Sequence, residues 1–216
     1  MTFGDDALLA YWDGDGEETA PRTLARGADA NGLLRGAEVL VSVEDGANRL
    51  LEGRDGDRSF AASLQLDAPG AITRALVYHT TAIEPSPTWG TAAETPADAG
   101  TVLDTYFWHL EHGRMQAAAD CFSADCLYSH PPYGPGQPRV EFRGRDELLA
   151  GFTKRGPRPW AHELLVVIQR GAECLLEGRA SGTERGGSFI SSLSLDGDGR
   201  IRRYAAFYCE PPVPRR

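Results

Sequence analysis

The chain has 216 residues, 41% of them hydrophobic and 25% charged, with a formal net charge of −9. That make-up suits a globular protein of one large or two small domains. No stretch approaches the roughly 18 apolar residues of a membrane span, and no basic stripe suits nucleic acid. The acidic start Met1-Thr-Phe-Gly-Asp-Asp6 has no apolar leader run, so a cytosolic location is expected. Charge is uneven: residues 1–97 carry 7 Arg against 16 Asp plus Glu, whereas residues 98–216 carry 15 of each sign. Cys121, Cys126, Cys174 and Cys209 form no Cys-x-x-Cys pair, which argues against zinc ribbons and dithiol chemistry. Lys154, the one lysine, lies in a polar stretch and gives Schiff-base chemistry little support.

In chain order, the first half contains blocks that the second half repeats. Gly46-Ala-Asn-Arg-Leu-Leu-Glu-Gly-Arg54 returns as Gly171-Ala-Glu-Cys-Leu-Leu-Glu-Gly-Arg179. Ser59-Phe-Ala-Ala-Ser-Leu-Gln-Leu-Asp67 returns as Ser188-Phe-Ile-Ser-Ser-Leu-Ser-Leu-Asp196, and Ile72 to His79 matches Ile201 to Tyr208. Upstream, Arg26-Gly-Ala-Asp29 echoes Arg143-Gly-Arg-Asp146. Four blocks in one order predict a duplicated unit. The stretch from Glu84 to Ala97, rich in Pro, Thr, Gly and Ala, reads as a linker.

Beyond the linker, Thr101-Val-Leu-Asp104 looks like a capping box. Leu103, Tyr106, Phe107 and Leu110 follow at helical spacing, with Gly113 as the stop. Met115, Ala118, Ala119 and Phe122 predict a second, shorter helix. Cys126 to His130 reads as a short strand broken by Pro131-Pro132-Tyr133-Gly134-Pro135, and Asp146 to Thr153 as a third helix. Strands are then expected over His162–Gln169, Glu173–Ala180 and Ser188–Leu195. A tight turn at Asp196-Gly-Asp-Gly199 leads into a last strand, Arg200–Cys209.

This element order resembles the NTF2-like superfamily, in its SnoaL-like and ketosteroid isomerase-like branches. The resemblance rests on Tyr106 to Gly113, Phe122-Ser-Ala-Asp-Cys-Leu-Tyr-Ser-His130, Phe142-Arg-Gly-Arg-Asp-Glu147 and Asp198-Gly-Arg-Ile-Arg-Arg-Tyr204. The first copy enters only at Phe3, which corresponds to Phe122, and so lacks both opening helices. The implied fold is α+β: two NTF2-like cone folds, each a curved antiparallel sheet with covering helices, the first copy lacking its N-terminal helices. The expected boundaries are a truncated repeat at 1–84, a linker at 85–98 and a complete domain at 99–212. A sheet face without its helices must be buried elsewhere. The first copy is therefore expected to pack on the second as an internal pseudo-dimer, in a chain that is a monomer or a homodimer.

The resemblance also implies a mostly apolar funnel in the second copy, suited to a small hydrophobic or partly polar molecule. Against the ketosteroid isomerase template, Tyr106 stands at the oxyanion-donor position. His130 stands where that branch has a carboxylate base, and Ser191 where it has a protonated acid. An imidazole suits proton transfer near neutral pH. Each residue has a second reading: His130 as a turn cap, Tyr106 as a core ring, Ser191 as one of a serine run. His162, just after Trp160, is either a second catalytic histidine or a rim residue. Tyr128 shares the face of His130, and Tyr204 shares that of Tyr208, as pocket lining or core. The pair His109 and His112 reads as a solvated helix face, and the two Asp-Gly-Asp-Gly stretches read as turns. No cofactor or metal is expected. The implied activity is a cofactor-independent lyase, isomerase or cyclase; a binding protein and an interaction module stand as the alternatives.

Overall fold

The computed structural model describes residues 3–13, 22–24, 36–68, 70–89, 94–95, 97–132, 137–157, 160–182 and 186–209. Six strands come first: β1 (Phe3–Asp13), β2 (Arg22–Leu24), β3 (Glu38–Asp45), β4 (Asn48–Asp55), β5 (Arg58–Leu66) and β6 (Ile72–Thr81). Helices α1 (Ala99–Glu111) and α2 (Met115–Asp120) follow. Then come β7 (Phe122–His130), β8 (Val140–Arg143), α3 (Arg145–Arg155), β9 (Trp160–Arg170), β10 (Glu173–Gly182), β11 (Gly186–Leu195) and β12 (Ile201–Cys209). The fold is α+β, with two curved mixed sheets.

Their strand orders, β2-β1-β6-β5-β4-β3 and β8-β7-β12-β11-β10-β9, are the same order twice. In each, the first long strand runs parallel to the last, and Phe3 faces Ile72 as Phe122 faces Ile201. The breaks in register recur too. One falls between Gln65 and Leu66 and again between Ser194 and Leu195. Another lies between Val39 and Val41 of β3, and its counterpart lies across the β9 residues Leu164 and Val166. Gly53 and Gly178 sit at matching places, and in both an added Cβ would collide with a neighbouring ring, Phe60 or Phe189. The Arg26–Asp29 echo and residues 210–216 lie outside the described residues.

Local chemistry moves several predicted boundaries. The N-cap of α1 is Asp98, not Thr101: its carboxylate accepts from the Thr101 backbone N–H and hydroxyl, both at 2.8 Å. Those bonds satisfy an otherwise orphaned amide, so the helix starts at Ala99. Phe122 belongs to β7 rather than to α2, and β7 begins there rather than at Cys126. The Ile201 amide donates to Cys121 O at 2.9 Å, holding the strand start beside β12. Strand β8 was not anticipated; its four residues pair with Leu127–His130. Strand β9 starts two residues earlier than expected and takes in Trp160.

In the second sheet, Tyr204 and Ala206 point to the side covered by α1, α2 and α3, and Ala205 and Phe207 to the other. That is the period-two alternation of a strand buried on both faces. The covered side carries the large core of Leu103, Tyr106, Phe107, Phe122, Tyr128, Phe152, Phe189 and Tyr204. The two sheets meet through their other faces, not through the faces that correspond to the funnel. Ala61 and Ile190, Leu76 and Ala205, and Tyr78 and Phe207 are three sequence-equivalent pairs within one buried cluster. Val43 with Ile168 and Leu50 with Leu175 form another. The funnel-side face of the first sheet, with Leu9, Leu51, Phe60, Leu64 and Val77, is buried separately.

Two buried ion pairs cross between the sheets. Arg74 grips Glu177 with two hydrogen bonds of 3.1 and 2.9 Å, and Arg203 grips Glu52 with two of 3.2 and 2.7 Å. Arg74 corresponds to Arg203 and Glu52 to Glu177, so each copy gives its arginine to the other's glutamate. This reciprocity is the signature of a two-fold interface, here within one chain.

Candidate functional site

The floor of the second copy's cone is a ladder of rings. Register sets Phe142, Tyr128 and Tyr204 side by side on β8, β7 and β12. Tyr128 stacks at 5.9 Å on Phe142 and at 5.5 Å on Tyr204. Such cross-strand aromatic pairs stabilise a sheet beyond the area they bury. Gly151 of α3 lets the helix settle on Phe142, since a Cβ there would lie 2.1 Å from that ring. Tyr106 is 1% exposed, with Phe107, Phe122, Phe152 and Tyr204 around its ring. Ser191 is fully buried and donates to the Tyr204 hydroxyl oxygen at 2.9 Å. The fold thus brings Tyr106, Tyr128, Tyr204 and Ser191 together in the floor.

The two candidate histidines, both half-buried, lie on β7 and β9. His130 ends β7, with its ring parallel to Tyr128 at 6.2 Å. Its Nδ1 lies 2.8 Å from the Pro131 carbonyl. A carbonyl only accepts, so Nδ1 carries the proton and Nε2 holds the lone pair. Burial pushes its pKa down to about 3; Arg155, Arg139 and His162 act in the same direction, and the Pro131 bond opposes them. His130 is therefore neutral at physiological pH.

His162, on β9, is fixed more tightly. Glu111, the last residue of α1, accepts on one oxygen from the His162 backbone N–H at 2.7 Å and from Nδ1–H at 2.9 Å. The imidazole lies flat on Phe107 at 4.3 Å and meets the edge of Phe189 at 5.9 Å. Burial lowers its pKa, and the Glu111 hydrogen bond and charge work against that. Glu111 thereby sets the orientation and tautomer of the His162 ring, with the proton on Nδ1.

Trp160 and Tyr208 meet at 6.0 Å on the same rim. The Tyr208 ring lies over Gly187, where a Cβ would come within 2.2 Å of it. Two further residues complete the site, and neither stood out in the sequence. Glu111 lies one turn beyond Phe107 on the same helical face, and that spacing is the signal that points to it. Arg155 ends α3 three residues after Phe152, and its guanidinium lies 5.4 Å over that ring.

Elsewhere the chemistry is quieter. His112 stacks on Trp108 at 4.4 Å, with Nδ1–H donated to the Trp108 carbonyl. Burial pushes the Cys126 and Cys174 thiols up to about 11 and 12, so neither supplies a thiolate. In the first copy, Ala10 faces Leu76 as Ser129 faces Ala205, which puts Tyr11 at the place of His130. His79 stands at the place of Tyr208, with Nε2 3.5 Å from Asp55. Among the described residues no group of three or more His, Cys, Asp or Glu side chains is placed to hold a metal ion. Among them, too, no helix is long and apolar enough to cross a membrane.

Residues 103–208 match the family described as the SnoaL-like domain. Solved structures similar to the chain include an NTF2-like protein of unknown function from Burkholderia xenovorans, at 18% identity and TM-score 0.43, covering 54% of this chain and 86% of that one. Another is a protein with a ketosteroid isomerase-like fold from Catenulispora acidiphila, in complex with trimethylamine, at 14% identity and TM-score 0.43, covering 54% and 88%. A third is an epoxide hydrolase from M. tuberculosis, at 16% identity and TM-score 0.40, covering 50% and 80%. No curated protein matches the chain.

Proposed function

We propose, from the match of residues 103–208 to the SnoaL-like domain and from the histidines on β7 and β9, that this part of the chain binds a small, partly apolar organic molecule and moves a proton on it without a cofactor. The observation that carries this reading is the Glu111–His162 pair, held by two hydrogen bonds and a ring stack beside a second histidine. His162 Nε2 takes the proton, and Glu111 stabilises the imidazolium that forms. His130 is too weak a base to compete, and its neutral ring is a neighbour of His162. The aromatic rim of Trp160, Phe189 and Tyr208 holds the apolar body. Lyase, isomerase and cyclase chemistry all begin with such a proton transfer.

A second reading has its own support. The floor of the cone is filled by packed rings, and the Ser191 hydroxyl is spent on Tyr204. Those features favour a protein that holds its ligand without converting it.

One experiment separates the two. Wild type, His162→Asn and His130→Ala are incubated with a metabolite extract, and retained and converted compounds are identified by mass spectrometry. Conversion by wild type, with retention but no conversion by His162→Asn, is expected. Equal retention by all three and conversion by none favours the binding protein.

A further inference from the structure

Resting on that reading of the site, we propose that the first copy is a working part of it. Arg139 is a positioning residue that, gripped by Thr80 of the first copy, fixes the end of β7 that carries His130. The matching parallel seams of the two sheets part company at this point. In the first sheet, the register of β1 against β6 runs on past Ala10 and Leu76 through Tyr11, Trp12 and Asp13. In the second, the register of β7 against β12 runs to the matching pair, Ser129 opposite Ala205, and His130 then pairs with Val140 of β8. The cause lies in the sequence: Pro131 and Pro132 come next, and a proline has no N–H to carry a ladder on. Among the described residues, His130 thus stands where the β7–β12 ladder ends.

A side chain takes over there. The guanidinium of Arg139 donates from Nε to the Ser129 hydroxyl at 2.6 Å and from Nη2 to the Ala206 carbonyl at 2.5 Å. One planar group therefore joins the last paired residue of β7 to the β12 residue just beyond the ladder. Its Nη1 donates to the Thr80 hydroxyl at 3.0 Å, and its central carbon lies 5.6 Å over the Phe207 ring. Thr80 belongs to β6 and is buried, as is Ser129. The donor fork is rigid, so an acceptor held at Nη1 orients the donors that meet Ser129 and Ala206. The clamp reaches His130 from both sides. Ser129 precedes it along β7, and Arg139 itself precedes Val140, its partner across to β8. The charge of Arg139 is felt at the His130 ring, where it disfavours protonation. Through Thr80 the first copy sets the place of the second imidazole beside His162.

The test needs no ligand. Exchange of the ring Nδ1–H protons of His130 and His162 with solvent is followed by NMR in the full chain. Thr80→Val keeps the shape of the side chain and removes the acceptor. It is expected to speed exchange at His130 about tenfold, the scale of one hydrogen bond. His162, fixed by Glu111, should be unchanged, which also shows that the variant is folded. Thr80→Ser restores the hydroxyl and should return His130 to within about twofold of wild type. Arg139→Gln, which breaks the fork itself, should exceed Thr80→Val at His130. Exchange at His130 that ignores Thr80→Val overturns the proposal. So does equal acceleration at both rings, which is general loosening rather than positioning. Failure of the functional reading shows separately, as no conversion in the metabolite extract, because ring exchange is read without a substrate.

Discussion

Protonating His130 in place would set an imidazolium in a buried rim between Arg155 and Arg139, and its pKa of about 3 expresses that cost. The consequence for stability has a definite sign. In the unfolded chain a histidine titrates near 6.5, so between about pH 6.5 and pH 3 the unfolded state binds the extra proton. His130 therefore costs nothing above that window and destabilises the fold progressively as pH falls through it. His162, lowered by burial, adds in the same direction. Lowering the pH from 7 to 5 should cost about 2 kcal/mol through His130 alone. His130→Gln cannot take up that proton and should show a correspondingly flatter acid limb in urea unfolding followed between pH 7 and pH 5. Parallel pH dependence in the two proteins would show that His130 is not buried as a neutral ring.

At the scale of elements, the reciprocal arginine–glutamate pairs carry the clearest prediction. A buried pair is strongly destabilising to break, because the survivor is left charged and unpartnered, yet nearly neutral to replace as a whole. Arg74→Met should cost about 3–5 kcal/mol by taking the cation from the buried Glu177 carboxylate, to which the Ser63 hydroxyl also donates but brings no charge. Arg74→Met with Glu177→Leu should return to within about 1 kcal/mol of wild type; urea midpoints report both. These pairs also show what a sequence conceals. The matching strand orders of the two sheets were legible because the recurring sequence blocks carry strand alternation and paired glycines, and most of the helices and strands from α1 to β12 followed from periodicity. That Glu52 seeks Arg203 was not legible, because the partners are 151 positions apart and belong to opposite copies. His130 and His162 were visible as residues at expected places. Glu111 was not, since a carboxylate at the end of an amphipathic helix looks solvated until the strand beside it is known. Strand β8 was missed for a related reason: four residues with half-buried Val140 and Phe142 show too little alternation to separate from a loop.

Taken whole, the molecule buries one face of each sheet against the other within one chain. Ile190, Ala205 and Phe207 are buried against Ala61, Leu76 and Tyr78, and Arg203 and Glu177 are satisfied by the other copy. These apolar and charged groups are thus already covered within the chain. What remains outside is modest: among the described residues the large hydrophobic side chains left exposed are Val39, at 50%, and Trp108, at 43%. They lie on different elements, and Arg114 already covers the Trp108 ring at 4.5 Å. A stable homodimer buries about 800 Å² or more on each partner around an apolar centre, and two separate side chains do not make such a centre. The protein should therefore sediment as a single 23.4 kDa species across the micromolar range. Arg74→Met offers the converse check. If the internal interface substitutes for a dimer interface, weakening it frees two matching faces at once, and the variant should begin to self-associate as concentration rises. A dimeric wild type, whose association that variant leaves unchanged, would place the subunit contact elsewhere on the surface.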